Sequence, residues 1–176
     1  MPSPVGHALG GAVVAALALQ EPLSGATWAS RARAALAHPL VRLAAVAACL
    51  PDLDFLWGRH NMETHSLGAA LLAGAAVWAW GRRPGPALVV AAAWMTHVAF
   101  DWLGSDDTAP LGVMALWPFD DRFHFAHAYV FEAISRRYWL PGFAAHNLWA
   151  VTTEVLMLAP LFGAIVAARA RRPHHG

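Results

Sequence analysis

The chain has 176 residues, of which 58% are hydrophobic and 13% charged, with a formal net charge of +1 and no lysine. A soluble domain carries about 25% charged residues, so this is the composition of a membrane protein. Nucleic acid is excluded as a partner, because no basic surface is available to displace phosphate counterions. The single cysteine, Cys49, excludes a disulfide framework and a cysteine metal knuckle, and its place in an apolar run assigns it to packing.

Crossing a hydrocarbon core about 30 Å thick takes about 20 apolar residues. Five stretches approach that length: residues 5–20, 39–57, 65–80, 86–103 and 142–168. The first has no arginine or lysine ahead of its apolar core and so reads as a retained helix rather than a cleaved secretory signal. Between the first two, EPLSGATWASRARAALAH is a connector with room for a short surface helix, and GRRPGP is a tight turn punctuated by glycine and proline. The expected fold is all-α: one domain over residues 1–176, a polytopic membrane bundle of about five transmembrane helices, with an interfacial outer segment. Cytoplasmic loops are enriched in basic residues. Five spans with the N-terminus outside and the C-terminus in the cytoplasm place Arg31, Arg33, Arg42, Arg82, Arg83, Arg169, Arg171 and Arg172 inside, and Arg59, Arg122, Arg136 and Arg137 outside.

That threading brings the ionisable residues at the helix ends to one membrane face. His7 starts the first helix, Asp52 and Asp54 end the second, and His60 and His65 bracket the start of the third. His97 and Asp101 close the fourth, and His146 opens the fifth. An ionisable group at membrane depth costs roughly 2.5–3.5 kcal/mol on insertion scales, so several at one depth imply mutual pairing or a bound ion. His97 and Asp101 in HVAFD lie one helical turn apart on one face, which suits two ligands of one metal, or equally a polar contact between helices. In PDLD, Pro51 interrupts backbone bonding and lets Asp52 and Asp54 both face a cavity; two acids at a solvated helix end have the same spacing. In HNMETH, Thr64 is the expected N-cap of the third helix, and Glu63 is read as a helix-start acid favoured by the dipole.

The ordered set GHALGG, LPDLD, HNMETHSL and HVAFD, followed by WPF, resembles the YdjM-like, LexA-associated inner-membrane family of metal-dependent hydrolases over residues 7–119. The resemblance implies a multi-pass protein of the bacterial inner membrane with a divalent-metal site and hydrolase activity. It carries over to His7, Asp52, Asp54, His60, His65, His97 and Asp101. One departure is visible: the family has His-Arg-Gly before Thr-His-Ser, whereas this chain has His60, Asn61 and Met62, leaving Arg59 as the nearby arginine.

Imidazole nitrogens with carboxylate oxygens and no thiolate suit Zn²⁺, Mn²⁺ or Fe²⁺. Seven candidate ligands exceed one tetrahedral set and would serve two ions about 4 Å apart, an arrangement used to cleave phosphate esters. Asp54 or His60 would then move the proton; amide or ester hydrolysis fits the same residues. The aromatic outer segment, residues 104–143, places rings at headgroup level and points to a lipid or lipid-linked substrate. Within it, residues 126–140 are expected to form an interfacial helix pairing Glu132 with Arg136. Arg136 and Arg137 are candidate phosphate contacts, and His124 and His127 candidate additions to the site. A divalent-metal transporter would need a polar path to the far face, and a metal-stabilised scaffold or regulatory protein would leave no open coordination position.

Overall fold

Proline and glycine set the element boundaries, and the helices between them are built largely from alanine, leucine and valine. A computed structural model describes residues 1–21, 23–106 and 109–170; Arg171 and Arg172, used in the topology reading, lie outside them. The described chain is all-helical apart from isolated bridges: α1 (Pro4–Ala18), α2 (Trp28–Ala37), α3 (Pro39–Ala47), a 3₁₀ helix (Leu50–Trp57), α4 (Leu67–Gly81), α5 (Pro84–Trp102) and α6 (Phe143–Ala170). Proline opens α1, α3 and α5, where its missing N–H costs no helical bond. The connector helix is α2, capped reciprocally by Thr27 and Ser30. GRRPGP is the turn between α4 and α5, with Arg82 in the left-handed region at φ 51°.

α1, α4 and α6 begin at one end of the bundle, and α3 and α5 finish there. α1 and α6 run parallel, joined near one end by Ser3 and Glu154 and near the other by a bond from the Arg169 guanidinium to the Leu17 carbonyl. The core between them is made of small residues, among them Ala12, Ala15, Ala16, Ala44, Ala93 and Val166. Small residues let backbones approach: a Cβ on Gly11 would strike the Ala44 carbonyl, so α1 and α3 touch main chain to main chain. The large apolar side chains point outward instead. Trp80 is 95% exposed and Leu148 69%, the distribution expected of helices whose solvent is lipid.

The expectation of about five spans is corrected by helix length and composition. Among the described residues, one helix is long and apolar enough to cross a bilayer, residues Phe143–Arg169, or two if the bent pair α2 plus Pro39–Trp57 counts as one span. α1 and α4 have 15 residues each, about 22 Å at 1.5 Å per residue, short of the hydrocarbon thickness. α5 has the length, but its prolines and its Thr96, His97 and Asp101 dilute its apolar character. The stretch 39–57 is not one helix: α3 stops at Ala47, and the chain tightens into the 3₁₀ helix around Pro51.

The expected interfacial helix over residues 126–140 is also corrected, because that segment has no helix. Its backbone groups bond to other elements: Ala126 N–H donates to the Trp102 carbonyl at 2.9 Å, Val130 N–H to Leu103 at 2.8 Å, and Ser105 N–H to Phe131 at 2.9 Å. Glu132 therefore accepts from the Ser105 hydroxyl at 3.3 Å rather than pairing with Arg136. The rest of the outer segment closes the same end of the bundle. The Ala115 and Trp117 carbonyls accept from Leu67 and Gly68, two of the otherwise unpaired amides that begin α4.

Candidate metal centre

Pro51 has no N–H to offer the Ala48 carbonyl three residues back, the bond a 3₁₀ turn would otherwise make. That carbonyl instead faces His97 Nδ1 on α5 at 2.7 Å. A carbonyl only accepts, so Nδ1 carries the proton and, in the neutral ring, Nε2 keeps its lone pair. One turn further along α5, Asp101 Oδ2 lies 2.9 Å from that Nε2.

The residues after the 3₁₀ helix supply the second histidine in the same way. Asp54, fully buried, has its Oδ1 2.7 Å from His60 Nδ1 and its Oδ2 3.1 Å from His65 Nδ1, and it accepts from the Thr64 hydroxyl at 2.8 Å. One carboxylate thus lies against both imidazoles, with the Thr64 hydroxyl also 3.0 Å from His65 Nδ1, and both Nε2 atoms turn away from it. Asp54 differs here from the sequence expectation of a direct ligand, since both its oxygens are engaged and it belongs to none of the groups described below. Thr64 also differs from its expected role. Ser66, not Thr64, caps α4 by accepting from Ala69 N–H, which leaves the Thr64 hydroxyl free for Asp54.

The remaining atoms converge. His65 Nε2 lies 3.3 Å from Asp101 Oδ2 and 3.7 Å from Asp52 Oδ1. His97 Nε2 is 3.7 Å from the same Asp52 oxygen, and His7 Nε2 is 3.4 Å from Asp101 Oδ1. The His7 ring stacks on His97 with centroids 3.8 Å apart. None of the Nε2 atoms of His7, His60, His65 and His97, nor Asp52 Oδ1, nor either Asp101 oxygen, has a hydrogen-bond partner, although all are buried. An unsatisfied buried polar group costs about 1–3 kcal/mol, and a bound cation is one way to compensate this many in contact. Metal bonds of about 2.1 Å in tetrahedral geometry put neighbouring ligand atoms about 3.4 Å apart, in the range seen here. Three groups qualify as ligand sets, His7–Asp52–His97, Asp52–His60–His65 and His65–His97–Asp101, each with its ligand atoms within 4.8 Å of one another.

The cluster opens on one side, where Asp52 is 19% and His60 14% exposed against 0% for His7, His65 and His97. Phe55 stacks on His60 at 3.6 Å, and the Arg136 guanidinium sits over the Phe55 ring at 4.2 Å. This places the outer segment's arginine at the mouth of the cluster, a neighbour the sequence does not reveal because the two residues lie 81 positions apart by number.

Several candidate additions lie elsewhere. His124 Nε2 faces Asp120 Oδ2 at 3.4 Å, His127 packs edge-on to Phe125, and His146 Nε2 is 2.7 Å from the Ala133 carbonyl. Arg59 and Glu63 form an exposed ion pair with each other. Arg137 N–H donates to the Ser135 hydroxyl at 3.2 Å. Arg122, bonded through both Nε and Nη2 to Asp120, holds that carboxyl well below the usual carboxylate range.

Glu154, an acid within α6, also lies at the polar end. It is fully buried, accepts from Ser3 N–H at 2.7 Å and from the Ser3 hydroxyl, and fills the space a Cβ on Gly6 would need. It therefore fixes the start of α1 one turn from His7.

A family model described as YdjM inner membrane protein matches residues 1–173 of the 176, so the chain belongs to that family. No curated protein and no solved structure matches the chain.

Proposed function

We propose that this member of the YdjM inner membrane protein family is a membrane-bound, divalent-metal-dependent hydrolase that cuts a phosphoester in a lipid or lipid-linked substrate. The observation that carries the reading is the convergence of buried imidazole and carboxylate atoms that no protein hydrogen bond satisfies. His7, His65, His97, Asp52 and Asp101 would hold the metal, and the overlap of the three ligand sets suits two ions. Zn²⁺, Mn²⁺ and Fe²⁺ are the ions whose preferences match these donors. A bound divalent ion supplies Lewis acidity and acidifies water near neutral pH.

The chain's own residues do the rest. Asp54 and the Ala48 carbonyl hold His65 and His97 by their Nδ1 atoms, so each presents its Nε2. His60 stands at the open side with its Nδ1 held by Asp54 and its Nε2 unpartnered, the position for moving a proton to or from the substrate. Arg136, at the same mouth, provides the cation that an anionic phosphoester needs. The aromatic outer segment, with Tyr138 76% and Trp139 66% exposed, suits the headgroup layer and favours a substrate presented by the membrane.

The test is elemental analysis of the purified protein. Assays on bis-p-nitrophenyl phosphate and phosphatidic acid would follow, before and after chelation, with Zn²⁺, Mn²⁺ or Fe²⁺ restored singly. Bound metal and chelator-sensitive cleavage are expected. A metal-free protein, or cleavage indifferent to chelator, would overturn the proposal.

A further inference from the structure

α3 and α4 each pack along α5 rather than along one another, and between them lies a cleft of about 490 Å³. Its walls follow helical spacing. Leu43, Val46 and Leu50 come from the α3 side, and Ala69, Ala73 and Ala76 recur along one face of α4. Val90 and Trp94 of α5 form the floor. From Ala69 to Val77 the cleft runs about 12 Å along α4, at 1.5 Å per residue. Nothing charged lines it, and a volume between 300 and 1,000 Å³ is what a small-ligand pocket offers.

One end of the cleft adjoins the His/Asp cluster through Thr64, which lines it and also donates to Asp54. Trp94, whose indole N–H donates to the Thr64 carbonyl at 2.8 Å, stands one turn before His97. Leu50 begins the 3₁₀ helix that carries Asp52 and Asp54. Another apolar cleft, about 400 Å³ between α1 and the α2–α3 hairpin, includes Arg42 and no residue bonded to the cluster.

We infer that the cleft between α3 and α4 holds an acyl chain of the substrate lipid, entering sideways from the bilayer, with the phosphate-bearing head reaching the His/Asp cluster past Thr64. This deepens the proposed function and rests on it. The occupant follows from three facts: the wall is apolar apart from Thr64, the protein belongs to an inner-membrane family, and Thr64 at one end of the wall is hydrogen-bonded to Asp54 of the cluster.

The experiment reconstitutes the full chain into vesicles of phosphatidylethanolamine and phosphatidylglycerol doped with phosphatidic acid bearing a photoactivatable diazirine on its acyl chain. Labelled residues are then mapped by mass spectrometry. A diazirine near the carboxyl ester is expected to label Thr64, Ala69 and Trp94, and one at the chain terminus Ala76, Val77 and Val90. Both should exceed labelling of the exposed α6 residues Leu148 and Leu156 about tenfold, the ratio for a preference of 1.4 kcal/mol. Ala73→Phe fills the cleft and should cut that labelling about tenfold while leaving α6 labelling and metal content unchanged. Ala76→Phe, one turn on, repeats the test if the first variant does not fold.

Even labelling around the bundle would overturn the inference, as would labelling untouched by both variants. So would cross-links joining two copies of the chain through the cleft. Confined labelling in a protein that lacks chelator-sensitive hydrolysis would keep the cleft as an acyl-chain site and overturn the hydrolase reading alone.

Discussion

The two ends of the bundle are made by the same helices and handle polarity in opposite ways. At one end His7, His65, His97, Asp54 and Asp101 are all buried, at 0–2% exposure. At the other, Glu21, Arg33, Arg82 and Arg83 are exposed. An exposed charge keeps its hydration and needs no partner, whereas a buried one must be compensated. The arginine end therefore tolerates change, and the histidine end depends on every member of its set. The contrast is in keeping with the proposed metal site, since the His/Asp groups at this end could hold an ion.

The sharpest way to break the comparison is to remove one ligand from each end's inventory. Asp101→Ala is expected to weaken metal binding by more than about 100-fold, beyond the effect usual for a neighbour of a ligand, as read by elemental analysis of purified protein. Arg83→Ala should leave the metal content unchanged; an equal loss there would erase the distinction. Next in size is Asp54→Ala, which frees Nδ1 of His60 and leaves Nδ1 of His65 to the Thr64 hydroxyl alone, without removing a ligand atom. Titration calorimetry should show affinity reduced by about 10- to 100-fold, and an unaltered affinity would show that the histidines hold their orientation by packing alone.

Glu154→Ala comes third. It strips the acceptor from the buried Ser3 N–H and should lower stability by about 1–3 kcal/mol, read as a fall in Tm in detergent. Glu154→Gln keeps an acceptor and should lose less. The smallest effect is expected at Asp120, paired with the exposed Arg122 in the outer segment, outside the His/Asp cluster. Its carboxyl is held low by Arg122, so the pair contributes above the ordinary carboxylate value of about 3.9 and the contribution fades as pH falls below it. Asp120→Asn should flatten the acid limb of a pH–stability curve slightly, the pair being open to water.

Convergence at one end was legible in sequence because helix-end residues of alternating spans must share a face. His7, Asp52, His65, His97 and Asp101 meet as that reasoning requires. What sequence could not supply was anything set by offsets between helices. Glu154 lies 11 residues inside α6, which by counting puts it deep in a span, but α6 starts well before the level of α1 and so brings Glu154 beside Ser3. The helical spacing of residues 126–140 was real yet overridden, since the exposed carbonyls at the end of α5 took up that segment's amides. Span number failed for a related reason. Apolar composition ran through Ala48 and Pro51 without marking where helical bonding stopped, and it took no account of helices too short to cross alone.

The acceptor that sets the tautomer of His97 is a peptide oxygen, released where Pro51 withholds a donor. An orienting carboxylate can vanish with one codon change, but a carbonyl at position 48 survives any amino acid placed there. Heredity can edit that contact only indirectly, by giving position 51 an amide hydrogen that competes for the same oxygen.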